Sequence, residues 1–262
     1  MIGPTASRAA RRGLGPGTPP VVLIHGVGFG PATLEPLAAA LAPHVRVEIP
    51  SRRGYGERAH VAPAASVAEH VDDVLAVLDG AGIGRAIVAG MSGGATVALA
   101  LSLSHPECVV AAVAHEPAVG SMAPELRVLV RGALRRGGGG ELLRVLAGEE
   151  TWAKLPAAAV SALDATSRLV EADAAAFMVF EPQLPSAAPG GSTAGPPLVC
   201  SVGERSSPLR FAVAERLATR TGAPVAVVPG CGHLPQLDAP DAFAELILEQ
   251  ALINAGTTTG AL

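Results

Sequence analysis

The stretch Arg85-Ala86-Ile87-Val88-Ala89-Gly90-Met91-Ser92-Gly93-Gly94, running on into Ala95 to Leu103, decides the fold. An apolar run leads into Gly-x-Ser-x-Gly and then into a helix-like run rich in Ala and Leu. A strand–turn–helix of this kind sets a serine on a turn so sharp that its backbone is strained, and side chains two residues to either side would clash. Gly90 and Gly94 meet that steric demand. Ser92 is therefore a candidate nucleophile at the end of a strand. A glycine-rich strand–helix turn can arise by chance in an apolar chain, so the weight comes from what accompanies the pentapeptide.

Upstream, Pro20-Val21-Val22-Leu23-Ile24 forms a short apolar strand ending in His25-Gly26-Val27-Gly28-Phe29-Gly30. Far downstream, Val225-Ala226-Val227-Val228-Pro229 runs into Gly230-Cys231-Gly232-His233. With the Ser92 elbow between them, these landmarks resemble the α/β-hydrolase superfamily in its serine-nucleophile, capped form. The likeness in strand order spans roughly residues 19–255, and its specific motifs lie at about 82–94, 25–30 and 230–233. It implies that Ser92 attacks an acyl carbon, that His233 takes and returns the proton, and that backbone N–H groups stabilise the oxyanion. By position those donors are Gly93 and Val27, with Gly28 the alternative to Val27. His25 in such proteins usually props its loop and is assigned no chemistry.

From residue 19 the chain alternates apolar strands with helical stretches, the pattern of a mostly parallel sheet covered by helices. Strands are expected near 20–25, 45–49, 85–90, 108–115, 197–202 and 224–229, rich in Val and nearly continuous in hydrophobicity, as strands buried on both faces should be. Helices are expected over 32–41, 66–78, 95–103, 209–221 and 240–253, the second opened by a Ser66–Glu69 capping box and carrying the apolar stripe Val71, Val74, Leu75, Leu78. The superfamily's opening hairpin has little room ahead of Pro19 and is expected to be missing or rudimentary. The tail from Asn254 to Leu262 is expected to fray.

Residues 119–195 break the alternation, with helical stretches near 124–136, 140–148 and 156–178, a glycine loop at Gly137 to Gly140, and a Pro/Gly/Ser-rich exit from Pro182 to Pro197. Their place in the strand order makes them, by resemblance, a helical cap inserted into a core of 1–118 and 196–262. Leu126, Leu129, Val130, Leu134, Leu143, Trp152, Leu163, Phe177, Met178 and Phe180 are its apolar residues, most of them for its own core and a few for the substrate.

The acid of the implied triad departs from the family's pattern. Its usual place follows the strand at 197–202, in a segment of the form G-x-x-D, and here that segment reads Gly203-Glu204-Arg205-Ser206. Glu116, directly after the strand that ends at His115, is favoured by position, because some relatives carry their acid there. Glu204 is the alternative. Absence of any acid is the third outcome, since a Glu-Pro pair at this point also serves as a structural acceptor in relatives. Asp238 is more distant and is expected to cap the helix near Pro240.

Composition bounds the rest. The chain has 262 residues, 49% hydrophobic and 16% charged, enough for one well-buried domain. A net charge of −4 without patterning gives no footprint for nucleic acid or an anionic membrane, so a small-molecule substrate is expected. No apolar run reaches membrane-spanning length, and the closest, Ala95 to Ala114, is broken by His105-Pro106-Glu107. Cys108, Cys200 and Cys231 lack metal-ligand spacing and read as reduced thiols, Cys231 as a passive one; with no signal-peptide pattern at the N-terminus they point to the cytoplasm. A single lysine, Lys154, with abundant Ala, Gly and Pro, suggests a GC-rich bacterial genome. No metal, nucleotide or flavin motif is present, so no cofactor is expected. The leading expectation is cleavage of a small-to-medium ester, lactone or thioester. An acyltransferase or cyclase tailoring a natural product is the alternative enzyme, and a non-catalytic small-ligand binder is the rival from another class.

Overall fold

The computed structural model describes residues 17–154, 163, 166–184 and 195–258. The strands form first as a matter of pattern: β1 (Val21–Ile24), β3 (Ala86–Met91) and β4 (Val109–His115) are buried at every residue. Alternation then divides them between two cores, as the pleat requires. Val21, Leu23, Ile87, Ala89 and Met91 pack with α1 (Glu35–Leu41) and α9 (Pro240–Thr258) on one face. Val22, Ile24 and Val88 pack on the other with α2 (Val67–Gly80) and α3 (Gly93–Ser104).

β2 (Val47–Glu48), β5 (Leu198–Gly203) and β6 (Val225–Val228) complete a six-stranded sheet in the order β2-β1-β3-β4-β5-β6, parallel throughout. The chain moves outward from β1 to β2, then returns past β1 to lay down β3. Connections leave the carboxyl ends of β1 and β3 in opposite directions, which opens a crevice there. His25 and Ser92 are the first residues beyond those two strands.

The expected strand at 45–49 shrinks to Val47–Glu48, because this edge strand pairs only with β1 and Pro50 ends it. α2 begins as expected, with Ser66 Oγ accepting the Glu69 N–H. α7 (Pro208–Thr221) stops at Gly222 in the left-handed region. α9 runs to Thr258, past the expected end at Ile253, and residues 259–262 of the tail lie outside the described ones. Of the segment expected to lack a full opening hairpin, residues 1–16 are likewise outside; residues 17–20 form no strand.

Between β4 and β5 come α4 (Pro124–Ala147), α5 (Glu149–Lys154) and α6 (Ser167–Val179). The first half of the helical stretch expected at 156–178 and most of the Pro/Gly/Ser-rich exit lie outside the described residues. The glycine loop expected at Gly137 to Gly140 is instead a break within α4, at Gly137 (φ −163°) and Gly138 (φ 65°). Close packing explains it: a Cβ on Gly139 would lie 2.5 Å from the Ser167 carbonyl oxygen, and Gly139 N–H donates to Ser167 Oγ at 2.9 Å. Among the described residues no helix is long and apolar enough to cross a membrane.

Candidate active site

At the end of β3 the chain reverses into α3 through Ser92, at φ 54° and ψ −120°. The two flanking glycines cannot be replaced. A Cβ on Gly90 would lie 2.2 Å from the Gly94 carbonyl oxygen, and one on Gly94 would lie 2.1 Å from that of Ile24. The elbow is thus jammed against the end of β1, and the steric demand read from the sequence is met atom by atom. Ser92 is 5% exposed. Its main chain is anchored by Ser92 N–H to the His115 carbonyl at 2.9 Å, while Gly93 N–H, in the first turn of α3, has no intrahelical acceptor.

The register Met91↔His115 sets the end of β4 beside the elbow, and the next residue, Glu116, turns its carboxylate toward the loop after β6. Glu116 Oε2 lies 2.6 Å from His233 Nδ1. Its other oxygen, Oε1, accepts from Gly203 N–H at 3.0 Å and from the Ser206 hydroxyl. Arg210 Nε approaches Oε2 at 3.5 Å. Burial alone would raise this carboxyl, but the His233 hydrogen bond and the charges of His115, His233 and Arg210 outweigh it and hold the acid well below the usual carboxylate range. His233, 6% exposed, is pushed below its ordinary 6.5 by burial and by Arg210, against the pull of Glu116. Ser206, which occupies the slot where an aspartate was expected, therefore hydrogen-bonds the carboxylate that reaches His233 from β4.

The other acid candidates go elsewhere. Glu204 Oε2 accepts the Gly230 N–H at 2.9 Å. Asp238 lies at the end of the short helix α8 (Pro235–Asp238), where it accepts Gly232 N–H at 3.1 Å and the Thr151 hydroxyl, tying the His233 loop to α5. Cys231 is buried, its thiol within 3.5 Å of the Val228 carbonyl, and burial pushes it up to about 12, far from a reactive thiolate. Among the described residues, Ser92 and Glu116 are the two non-glycine residues at positive φ. Backbone strain is concentrated on the candidate nucleophile and the candidate acid.

The loop after β1 lies over the elbow: a Cβ on Gly93 would fall 2.8 Å from Val27 Cγ2 and 2.7 Å from Phe177 of α6. Gly28 N–H is already spent, donating to Tyr55 Oη at 2.8 Å, whereas Val27 N–H has no acceptor among the described residues. His25 props this loop as expected. Its Nδ1–H donates to the Gly26 carbonyl at 3.0 Å and its Nε2 accepts Arg52 N–H at 3.3 Å, while burial and then the Arg52 charge lower it to about 3.

Behind the loop sits a buried ionic cluster that the sequence reading did not find. Arg52 and Asp173 are fully buried and pair at 3.0 Å. Tyr55 Oη donates to Asp173 Oδ2 at 2.8 Å, and His70 Nε2 lies 3.1 Å from Arg52 Nη1 and 3.3 Å from Asp173 Oδ1. Burial opposes the Asp173 charge, yet Arg52, His70 and Tyr55 together hold the carboxyl down at about 2. From α6 and α4, Phe177 presses on Gly93 and Leu143 on Gly28.

A family model described as the alpha/beta hydrolase family matches residues 21–246 of the chain. Among solved structures, Est816, reported as an N-acyl homoserine lactone degrading enzyme, is 25% identical, with a TM-score of 0.70 over 88% of this chain and 92% of its own. The enol-lactonase from Burkholderia xenovorans LB400 is 22% identical, with a TM-score of 0.69 over 89% and 91% of the two chains. A thermophilic esterase from Thermogutta terrifontis is 21% identical, with a TM-score of 0.67 over 90% of each chain.

Proposed function

The chain belongs to the alpha/beta hydrolase family, and on that premise we propose that it is a serine hydrolase cleaving a small-to-medium ester, lactone or thioester. Ser92 attacks the acyl carbon as His233 takes its proton, giving a tetrahedral oxyanion. Collapse expels the alcohol or thiol, protonated by His233, and leaves an acyl group on Ser92. Water activated by the same histidine then releases the acid. Glu116 fixes the His233 tautomer and stabilises the imidazolium. The backbone N–H groups of Val27 and Gly93 hold the oxyanion, aided by the positive end of α3.

One observation carries this reading: the 2.6 Å contact between Glu116 and His233, made by a carboxylate at the end of the strand next to the nucleophile's. It supports Glu116 over Glu204 as the acid. It also weakens the case for an acyltransferase or cyclase in so far as that case rested on the aspartate missing at Ser206. The occupied N–H of Gly28 favours Val27 as the loop donor. Residues 119–195 are the cap in this proposal, with Phe177 set against Gly93 of the elbow and Leu143 against Gly28 of the loop after β1. The names of Est816 and the enol-lactonase make lactones the first substrates to try beside p-nitrophenyl acetate.

The test is fluorophosphonate labelling and p-nitrophenyl acetate turnover, each with folding checked. Wild type labels and turns over, and Ser92→Ala does neither. Folded wild type that neither labels nor hydrolyses acetates or lactones overturns the reading in favour of a ligand-binding protein.

A further inference from the structure

The Gly26–Val27 peptide is planar and trans, so its C=O and N–H point in opposite directions. Whatever grips the Gly26 carbonyl therefore aims the Val27 N–H. Two donors grip it: His25 Nδ1–H at 3.0 Å and Arg52 Nη2 at 3.0 Å. The next N–H along, that of Gly28, is pinned by Tyr55 Oη, whose own proton goes to Asp173. Asp173 belongs to α6, 121 residues from Arg52 in sequence, and holds the Arg52 guanidinium by Nη1 at 3.0 Å. Guanidinium and carboxylate together thus fix both sides of Val27, whose N–H has no acceptor among the described residues.

We infer that Arg52, anchored by Asp173 of the inserted helix α6, is a positioning residue that locks the Gly26–Val27 peptide with its N–H turned toward the elbow as oxyanion donor. The inference rests on the serine-hydrolase reading above. A buried ion pair contributes little net stability compared with apolar residues of the same volume, so stability alone is a weak reason for a fully buried arginine here. A guanidinium does what an apolar side chain cannot. Its rigid fork reaches the Asp173 carboxylate with one nitrogen and the Gly26 carbonyl with another, so the position of a helix from the insertion is transmitted to one peptide plane. If the lock is lost, that peptide is free to rotate, and the site keeps one oxyanion donor instead of two.

The decisive variant is Arg52→Met/Asp173→Asn, which removes both buried charges together and leaves Tyr55 an acceptor for its proton. Arg52→Lys is the second variant, keeping the charge opposite Asp173 but losing the fork. Turnover of p-nitrophenyl acetate and affinity for phenylboronic acid, whose tetrahedral adduct puts an oxyanion in the hole, are measured beside the melting temperature. The expected result for the double variant is a kcat about 10²-fold lower and a similar loss of boronate affinity, with KM within about twofold. Arg52→Lys falls in the same direction by about tenfold. A folded double variant with kcat within twofold of wild type, or one in which KM weakens as much as boronate affinity, overturns the role; should the double variant not fold, Arg52→Lys is judged by the same two criteria. Wild type lacking any Ser92-dependent reaction overturns the hydrolase reading and this inference with it, whereas Ser92-dependent wild type beside an unaffected variant overturns this inference alone.

Discussion

Ser92 is flanked by two buried ionic clusters built from the same kinds of residue, to which the proposed mechanism gives opposite uses. On one side a carboxylate, Glu116, is surrounded by His233, His115, Arg210 and the Ser206 hydroxyl. On the other an arginine, Arg52, is surrounded by Asp173, His70, His25 and a carbonyl. The difference lies in the histidines. His25 has both ring nitrogens engaged by the main chain and is driven to about 3, so it is a fixed neutral strut. His233 is held at Nδ1 by Glu116, and burial and Arg210 lower it against the pull of Glu116; in the proposed mechanism it is the base that cycles the proton. In the proposed mechanism one cluster moves a proton and the other keeps geometry still.

Removing the carboxylate breaks the first cluster most severely. Glu116→Gln is expected to lower kcat by about 10⁴-fold, as loss of the tautomer-fixing acid does in serine proteases, while Glu204→Gln stays within about twofold. Steady-state kinetics of the two folded variants separate the acids, and comparable losses in both would sink the assignment. Next in size is a transplant: Glu116→Ala/Ser206→Asp returns a carboxylate to the slot where a hydroxyl now meets Glu116, and at least about tenfold of the lost rate should return relative to Glu116→Ala alone. No recovery would mean that the Ser206 position cannot serve His233 in this fold.

A smaller effect sharpens the contrast electrostatically. Arg210 lowers His233, so Arg210→Met should move the acid limb of the kcat/KM profile to higher pH, from a wild-type midpoint below 6.5. An unmoved or downward-shifted limb would remove Arg210 from the account. Stability reports on the neutral struts instead. The folded values of His25, about 3, and His115, about 4, lie below their unfolded value of 6.5, so the stability they add is present above pH 6.5 and drains away as pH falls toward those folded values. Each removes up to about 1.4 kcal/mol per pH unit over that window. Thermal melts should therefore decline from pH 6.5 downward, before Glu116 and Asp173, whose depressed values take effect only below their ordinary 4.5 and 3.8, begin to contribute. A melting temperature flat from pH 6.5 to 5 would contradict the burial of neutral imidazoles.

The two clusters also differ in how far the sequence announced them. The elbow was legible because its constraint is local: Gly90 and Gly94 are required by atoms at most a few residues away or on the adjoining strand. Glu116 was legible by its place after an apolar strand, although its contact with His233 joins residues 117 apart. The arginine cluster was not, because a buried charge has no signature apart from its partner, and the partner sits on another element. A weaker signal existed. His70 lies three residues after Val67 and four before Val74, and Asp173 lies four after Leu169 and four before Phe177, so helical spacing puts both polar residues in the middle of apolar stripes. Arg52 carried no such sign, its neighbour Arg53 being a part-buried residue paired with Asp73 and Glu69. The break in α4 at Gly137 was read as a loop because the glycine run lies between two helical stretches; its use here is to bring α4 against Ser167.

The positive φ of Ser92 has a consequence for how such a protein evolves. Strain of this kind costs about 1–3 kcal/mol, and glycine relieves it. Ser92→Gly should therefore melt higher than wild type while losing all turnover, and a lower melting temperature would show that the serine is at ease where it stands. Selection for robustness alone would favour loss of this serine, so on the proposed function its strained backbone is a stability cost borne for turnover.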